Sequence, residues 1–137
     1  MSDISENYIG NLDLLNSLHK KMINNNIANS ILLSGAKGIG KTTLIFNLIT
    51  KTFETFVGKN FRNNNKFFFN NVHDNVRYIT RELDEKNSKL KKYINIEQIR
   101  KLDDFIFKFS VNHLPKIIII DSADELNINS SNALHIF

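Results

Sequence analysis

Residues 35–42 read GAKGIGKT, that is, Gly35, Ala36, Lys37, Gly38, Ile39, Gly40, Lys41 and Thr42. The spacing is G-x-x-x-x-G-K-[ST], and the loop lies between an apolar run, residues 31–33, and a helix-like segment that starts at Thr43. Glycines in such a loop let backbone N–H groups turn inward around an anion, while Lys41 reaches the terminal phosphates and the Thr42 hydroxyl completes a magnesium shell. The sequence therefore predicts a phosphate-binding loop for ATP, or another nucleoside triphosphate, with Mg²⁺.

The composition indicates one globular domain outside the membrane. The chain has 137 residues, 42% hydrophobic and 23% charged, and its net charge of +4 is too small to argue for DNA binding. It has no cysteine, and its four histidines share no ligand spacing, so we predict neither disulfides nor zinc. Residues 1–6 are polar and no apolar run approaches the ~18 residues of a membrane span, so we expect a cytoplasmic protein.

Apolar periodicity predicts six elements of an α/β sheet protein. They are a helix at 11–23, a buried strand at 31–34, a helix from Thr43 that Gly58 ends, a short strand at 76–80, an amphipathic helix from Asn95 to near Asn112, and a strand at 117–120. We interpret residues 59–75 as a surface connection and residues 81–92 as a solvated, charged loop. The cluster Phe67, Phe68 and Phe69 inside that connection could be a docking or base-stacking patch, but packing in the core is favoured.

A second chemical signal follows the last strand. Residues 117–120 are four isoleucines, which suits a strand buried on both faces of a parallel sheet. Asp121 stands at the carboxyl end of that strand, where ligands bind in open α/β sheets. Beside the glycine loop, this acid has the form of a Walker B aspartate that holds Mg²⁺, whereas the alternative is an acidic turn former.

Hydrolysis is less well supported than binding. Many such ATPases place a glutamate directly after the aspartate, and here that position is Ser122. A serine without an activating partner is not a general base at neutral pH. Asp124 and Glu125 follow closely, but we predict that they start the next helix, where its dipole favours acidic residues.

Four segments in order carry a resemblance to a known family. These segments are Ile9-Gly10, ILLSGAKGIGKTT at 31–43, INIEQIRKL at 94–102 and KIIIIDSADELNINSSNAL at 116–134. Together they resemble the nucleotide-binding domain of bacterial clamp-loader ATPases of the AAA+ class, and most closely the delta-prime subunits of DNA polymerase III. The resemblance implies a P-loop NTPase fold, a parallel sheet flanked by helices. It also implies that residues 35–42 with Thr43 hold the phosphates, Thr42 and Asp121 hold the magnesium, and Ile9 and Gly10 lie near the adenine. The implied partners are other clamp-loader subunits and, indirectly, the sliding clamp and primed DNA, with the subunit a stator rather than a motor.

The sequence departs from this family in two places. Residues 59–75 contain none of the cysteines of the zinc module that many relatives carry. The chain ends at Phe137, so residues 1–137 correspond to the amino-terminal part of the domain, without the sensor strand, arginine-finger region, lid and collar domain. In the AAA+ strand order the sensor strand would separate the strands at 31 and 117, so we expect open sheet edges and poor stability of the isolated chain.

Three alternatives stay open at this point. A different P-loop topology would make the strands before Lys41 and Asp121 direct neighbours. The chain could also be an autonomous P-loop ATPase or kinase, or a non-functional remnant of a longer reading frame.

Overall fold

The computed structural model describes residues 10–58 and 65–134. Predictions for residues 1–9, residues 59–64 and His135 therefore lie outside the described residues. The chain divides into two compact units, one ending at Asn65 and the other beginning at Lys66, and each is described by itself.

Two helices build the first unit. Helix α1 (Leu12–Ile23) begins where the Asn11 side chain accepts a hydrogen bond of 3.0 Å from the Leu14 N–H, and α2 (Lys41–Val57) ends at Gly58. Leu15 and Leu18 of α1 pack against Leu44 and Leu48 of α2 in a cluster that Leu33 also joins. Both predicted helices are confirmed.

The predicted strand at 31–34 is wrong. These residues form no strand, and Ile31 and Leu32 are 45% and 79% exposed. A β-strand is stabilised by its hydrogen-bonded partner and by burial of its side chains. Because this segment has no ladder partner among the described residues, its β-branched and apolar composition alone does not make it a strand.

A parallel pair of strands is the centre of the second unit. Strand β1 (Val76–Ile79) pairs with β2 (Ile117–Ile120), with Val76 opposite Ile117 and Ile79 opposite Ile120. Both strands are therefore confirmed, and the observed sheet is two-stranded within the described residues. The expected burial of β2 on both faces is wrong, because all four isoleucines are only half-buried.

Side chains and turns cover the outer edge of β1. The Val76 N–H donates to the His73 carbonyl at 3.4 Å, and the Val76 carbonyl accepts from the Arg77 guanidinium at 2.9 Å. The Asn71 side chain accepts from the Tyr78 N–H at 2.6 Å and donates to the Tyr78 carbonyl at 2.9 Å, as a neighbouring strand would. The backbone groups of β1 that face away from β2 are thus hydrogen-bonded without a third strand.

The interpretation of residues 59–75 as a surface connection is wrong in its second half. Helix α3 (Asn65–Phe69) lies there, and Phe68 is fully buried beside the His73 ring, with the ring centroids 5.5 Å apart. Phe67 and Phe69 are about half exposed. The preference for core packing is therefore confirmed for Phe68 alone.

The amphipathic helix is shorter than predicted. Asn95 and Gln98 form a reciprocal capping box at its start, and the helix runs as α4 (Ile96–Arg100) and α5 (Leu102–Phe107), divided at Lys101. It ends at Phe107 rather than near Asn112, since Lys108 has extended backbone angles (φ −72°, ψ 149°), and the Lys116 ammonium donates to the carbonyls of Phe105, Ile106 and Lys108. These bonds satisfy carbonyls at the helix end, so the chain turns away there.

Helix α6 (Ile128–Leu134) completes the second unit. Asn127 accepts the Ser130 N–H at its start, and the buried Ser130 hydroxyl donates to the Ile94 carbonyl at 2.8 Å. Residues 81–92 form the predicted exposed loop, with the Leu83 and Leu90 backbones bridged. Among the helices of residues 10–58 and 65–134, none combines the length and the apolar character that crossing a bilayer would require.

Candidate functional site

The glycine loop of the first unit leads directly into helix α2. Gly38 and Gly40 have φ angles of 82° and 94°, the left-handed region that glycine adopts without a steric penalty. Gly40 is the N-cap of α2, has no side chain to bond the first N–H groups, and is followed by a first turn without acidic residues. The positive end of a 17-residue helix therefore meets the loop, an arrangement that favours an anion.

Lys41 folds back over the same loop. Its Nζ donates to the carbonyl oxygens of Gly35 at 2.8 Å and Ala36 at 2.9 Å. The ammonium group thus lies on the loop, where its present acceptors are neutral carbonyls. Phosphate oxygens can replace them with stronger, charge-assisted bonds. Lys37, in the same loop, is exposed.

The other residues predicted to bind the nucleotide are Thr42, Thr43, Ile39, Gly10 and Ile9. Thr42 and Thr43 lie half-buried in the first turn of α2, and the Thr43 carbonyl accepts from the Asn47 side chain at 2.8 Å. Ile39 is 70% exposed, and its N–H closes a turn onto the Ala36 carbonyl. Gly10 is exposed just before α1, and Ile9 lies outside the described residues.

In the second unit, Asp121 lies where β2 ends, as predicted. Its N–H donates to the Ile79 carbonyl at 2.8 Å, which extends the ladder by one residue. Its carboxylate accepts the Tyr78 hydroxyl on Oδ2 at 2.6 Å and the Ser122 hydroxyl on Oδ1 at 3.2 Å. Burial, together with the hydrogen bond to this carboxylate, raises the pKa of Tyr78 well above its usual range. At neutral pH Tyr78 therefore keeps its proton and donates a hydrogen bond to Asp121.

Sequence reasoning did not find Tyr78. It lies 43 residues from Asp121, and only the register of β1 on β2 brings the two side chains together. A tyrosine in a short mixed strand is an ordinary packing residue by composition. The one usable signal would have been a hydroxyl predicted on the strand next to the acidic strand end.

The prediction that Asp124 and Glu125 start the next helix is wrong. They lie in a short 3₁₀ turn, Ala123–Glu125, and α6 begins only at Ile128, after the Asn127 cap. The Glu125 carboxylate forms an ion pair with Arg81 at 2.8 Å, and its carbonyl accepts the Ile94 N–H. Tertiary contacts, rather than a helix dipole, therefore fix this acid.

The oxygen ligands at the predicted metal positions fit magnesium chemically. Mg²⁺ takes hard oxygen ligands and keeps several of its waters. Each oxygen of the Asp121 carboxylate accepts one hydroxyl hydrogen bond, and a carboxylate is a ligand type that Mg²⁺ takes. Thr42 lies in the first unit and Asp121 in the second. Within the described residues, no group of three or more His, Asp or Glu side chains could hold a metal by itself.

Comparison with known families identifies the family of this chain. Residues 10–135 match the model of the family described as DNA polymerase III, delta subunit. No curated protein and no solved structure shows significant similarity to the chain. The family match covers nearly the whole chain, including the glycine loop and Asp121. The chain therefore belongs to the DNA polymerase III delta subunit family, a clamp-loader-related family of DNA replication.

Proposed function

We propose that this chain acts as a delta-prime-like subunit of the bacterial clamp loader, in the cytoplasm, and that it contacts ATP or another nucleoside triphosphate without hydrolysing it competently. The family match supports a place in a DNA polymerase III assembly. The observation that carries the nucleotide contact is Lys41, whose ammonium lies on the Gly35 and Ala36 carbonyls beside the start of α2.

Each part of the loop has a role in this proposal. The amides of residues 35–42, with Thr43, surround the phosphates, and Lys41 adds a positive charge to the terminal ones. Gly10, with Ile9, lies near the adenine. Thr42 and Asp121 hold Mg²⁺, which when bound neutralises phosphate charge.

Weak hydrolysis follows from the surroundings of Asp121. Ser122, in the position of the Walker B glutamate, donates a hydrogen bond to the Asp121 carboxylate, and a neutral hydroxyl is not a general base at neutral pH. The carboxylate of Glu125 is paired with Arg81. The subunit would then act through assembly, as a stator for the other clamp-loader subunits, and through them on the sliding clamp and primed DNA.

A fluorescent-nucleotide titration tests the site. Lys41→Ala should weaken triphosphate binding about thirtyfold, the equivalent of about 2 kcal/mol for a charge-assisted bond. The matched control is Lys37→Ala, which removes an exposed lysine from the same loop and should change the affinity little. Equal affinities for wild type and Lys41→Ala would show that the phosphate assignment is wrong.

Co-expression with the other clamp-loader subunits tests the assembly. The proposal expects the chain to co-purify with them and to show little Mg²⁺-dependent turnover alone. Turnover by the purified chain that Lys41→Ala abolishes would instead indicate an autonomous ATPase. Failure to co-purify would count against a subunit role.

A further inference from the structure

A groove in the second unit is lined by side chains that have no role in the nucleotide site. It lies between α4 and α6, has a volume of about 470 Å³, and has the fully buried Ile99 and the half-buried Ala133 at its bottom. Its walls carry four polar side chains, Arg100 and Asp103 on one side and Asn129 and Asn132 on the other. An apolar bottom with a few polar groups around it is the usual composition of a ligand-binding pocket, and the volume is in the usual range.

The four polar side chains of the groove have no protein partner. All four residues are exposed, and within residues 10–58 and 65–134 none of these side chains forms a hydrogen bond or an ion pair. Lys101 has helical backbone angles, so Arg100 and Asp103 lie one helical turn apart, with their Cβ atoms separated by roughly 5 to 6 Å. A ligand in the groove would therefore meet one positive and one negative group on one wall and two amides on the other.

Asparagine side chains bind extended backbone elsewhere in this unit. Asn71 accepts the Tyr78 N–H at 2.6 Å and donates to the Tyr78 carbonyl at 2.9 Å. Asn75 makes the same pair of bonds with Val111, accepting its N–H at 3.2 Å and donating to its carbonyl at 3.0 Å. The two asparagines of the groove carry the same donor and acceptor groups, so they can bond the main chain of a peptide in the same way.

We propose that this groove binds an extended peptide segment of a partner protein with the pattern acidic, apolar, basic. The central apolar side chain would contact Ile99 and Ala133, while the amide of Asn129 or Asn132 bonds the N–H and carbonyl of the same residue. The acidic side chain would pair with Arg100 and the basic one with Asp103, so the charges of the peptide complement those of the wall.

The dimensions of the groove fit three extended residues. Alternate side chains of an extended chain lie on the same side and are about 6.6 Å apart, which is close to the spacing of Arg100 and Asp103. Three extended residues span about 10 Å. Helix α6 has seven residues and is therefore also about 10 Å long.

The first experiment titrates the peptide acetyl-Ala-Glu-Leu-Lys-Ala-amide into the ¹⁵N-labelled full chain. We expect a Kd of about 1 mM or lower, with shifts of the amide signals of α4 and α6 and none in the exposed loop at residues 81–92. A peptide with asparagine in place of leucine should bind about tenfold more weakly, because it has no apolar side chain for the groove. Absence of binding at about 5 mM, equal affinity for the two peptides, or shifts confined to other parts of the chain would overturn the inference.

A charge reversal tests the assignment of the wall. In Arg100→Glu both charges of the wall are negative, so the peptide with the central sequence Lys-Leu-Lys should bind about fivefold more tightly than the one with Glu-Leu-Lys. Lys101→Glu is the matched control, because Lys101 is exposed next to Arg100 and does not line the groove. An unchanged preference in Arg100→Glu, or the same change in Lys101→Glu, would overturn the inference.

A truncation tests the amides of the other wall. Asn132→Ala should weaken binding of the Glu-Leu-Lys peptide about fivefold, the effect of losing one main-chain contact. Ser131→Ala changes an exposed residue of the same helix that does not line the groove, and it should leave the affinity unchanged. Equal affinities of these two variants would contradict main-chain recognition. The comparison of the two peptides with the wild-type protein keeps the inference testable even if a variant does not fold.

Discussion

The ammonium group of Lys41 donates to the carbonyl oxygen of Gly35 at 2.8 Å, so the lysine of the loop closes the loop on itself. A second bond, to Ala36 at 2.9 Å, reinforces this closure. The side chain that we assign to phosphate binding therefore also orders the backbone that would surround the phosphates. A bound triphosphate would replace these two carbonyls as the hydrogen-bond acceptor of the Lys41 ammonium.

Lys41→Met should loosen the loop even without nucleotide. The substitution keeps the length of the aliphatic stem but removes both hydrogen bonds. Amide hydrogen exchange at residues 35–40 should therefore become about fivefold faster, which corresponds to a loss of about 1 kcal/mol. Lys37→Met, at an exposed position of the same loop, is the control. Equal exchange rates in the two variants would contradict the ordering role of Lys41.

Gly40→Ala should destabilise the start of α2. The φ of Gly40 is 94°, and a Cβ there would meet no atom within 4 Å, so the cost is backbone strain alone, about 1 to 2 kcal/mol. Gly40→Asn should cost less, because asparagine tolerates positive φ better than alanine. Urea unfolding measures both variants, and an alanine variant as stable as wild type would contradict the assigned conformation.

Asn75→Ala should be strongly destabilising for the second unit. Asn75 is 1% exposed, and its amide bonds the N–H and carbonyl of Val111 and the carbonyl of Leu114. Truncation leaves these groups without their partner, at a cost of about 3 kcal/mol. The control is Asn87→Ala, because Asn87 is exposed and its side chain accepts only the Lys89 N–H among the described residues. This variant should lower the free energy of unfolding by less than about 0.5 kcal/mol. Similar unfolding midpoints in urea for the two variants would disprove this difference.

Two phenylalanines offer the same substitution at opposite burial. Phe68 is 0% exposed and Phe109 is 99% exposed. Phe68→Ala should cost about 3 to 5 kcal/mol of unfolding free energy, whereas Phe109→Ala should change it by less than about 0.5 kcal/mol. Chemical denaturation of both variants tests the pair, and a large loss in Phe109→Ala would mean that this residue is buried in solution.

Stability should fall as the pH drops below neutrality, partly because of His73. Burial lowers the pKa of His73 below its ordinary 6.5, and Arg77 lowers it further against the opposing effect of Asp74. The unfolded chain therefore binds this proton at a higher pH than the folded protein does, so protonation favours unfolding once the pH falls below 6.5. The neutral ring also accepts the Asn75 N–H on Nδ1 at 3.1 Å, a bond that protonation removes.

The measurement is urea unfolding at about pH 7.5 and about pH 5.5, with His73→Gln as the comparison. The variant should lose less stability between these conditions than the wild type. An equal loss in both proteins would show that His73 does not carry the effect.

Structural features that depend on residues close together in the chain could be predicted from the sequence. Asn95 caps the helix that follows it, and Gly58 ends α2, because each acts on backbone groups of its own turn. The glycine loop could be predicted for the same reason, because its glycines, Lys41 and the start of α2 are adjacent in the sequence. The strand at 117–120 and the acid at its end were equally visible.

Features that depend on distant partners could not be predicted. Residues 31–34 have strand composition but no ladder partner among the described residues, and the end of α5 is bonded by Lys116, ten residues after Ile106. The contact of Tyr78 with Asp121 depends on strand register, which no local pattern specifies. Phe109 fits the helical period and yet is almost fully exposed, because the helix has already ended.

The hydrogen bonds along the outer side of β1 protect this edge of the sheet from pairing with another strand. Asn71 hydrogen-bonds both main-chain groups of Tyr78, and His73 and Arg77 hydrogen-bond those of Val76. A strand from another molecule would therefore meet main-chain groups that already have hydrogen-bond partners. Templated stacking of copies through that side is therefore disfavoured, as blocked edges are in natural β-proteins. A strand that added to this side of the sheet would first have to displace these partners.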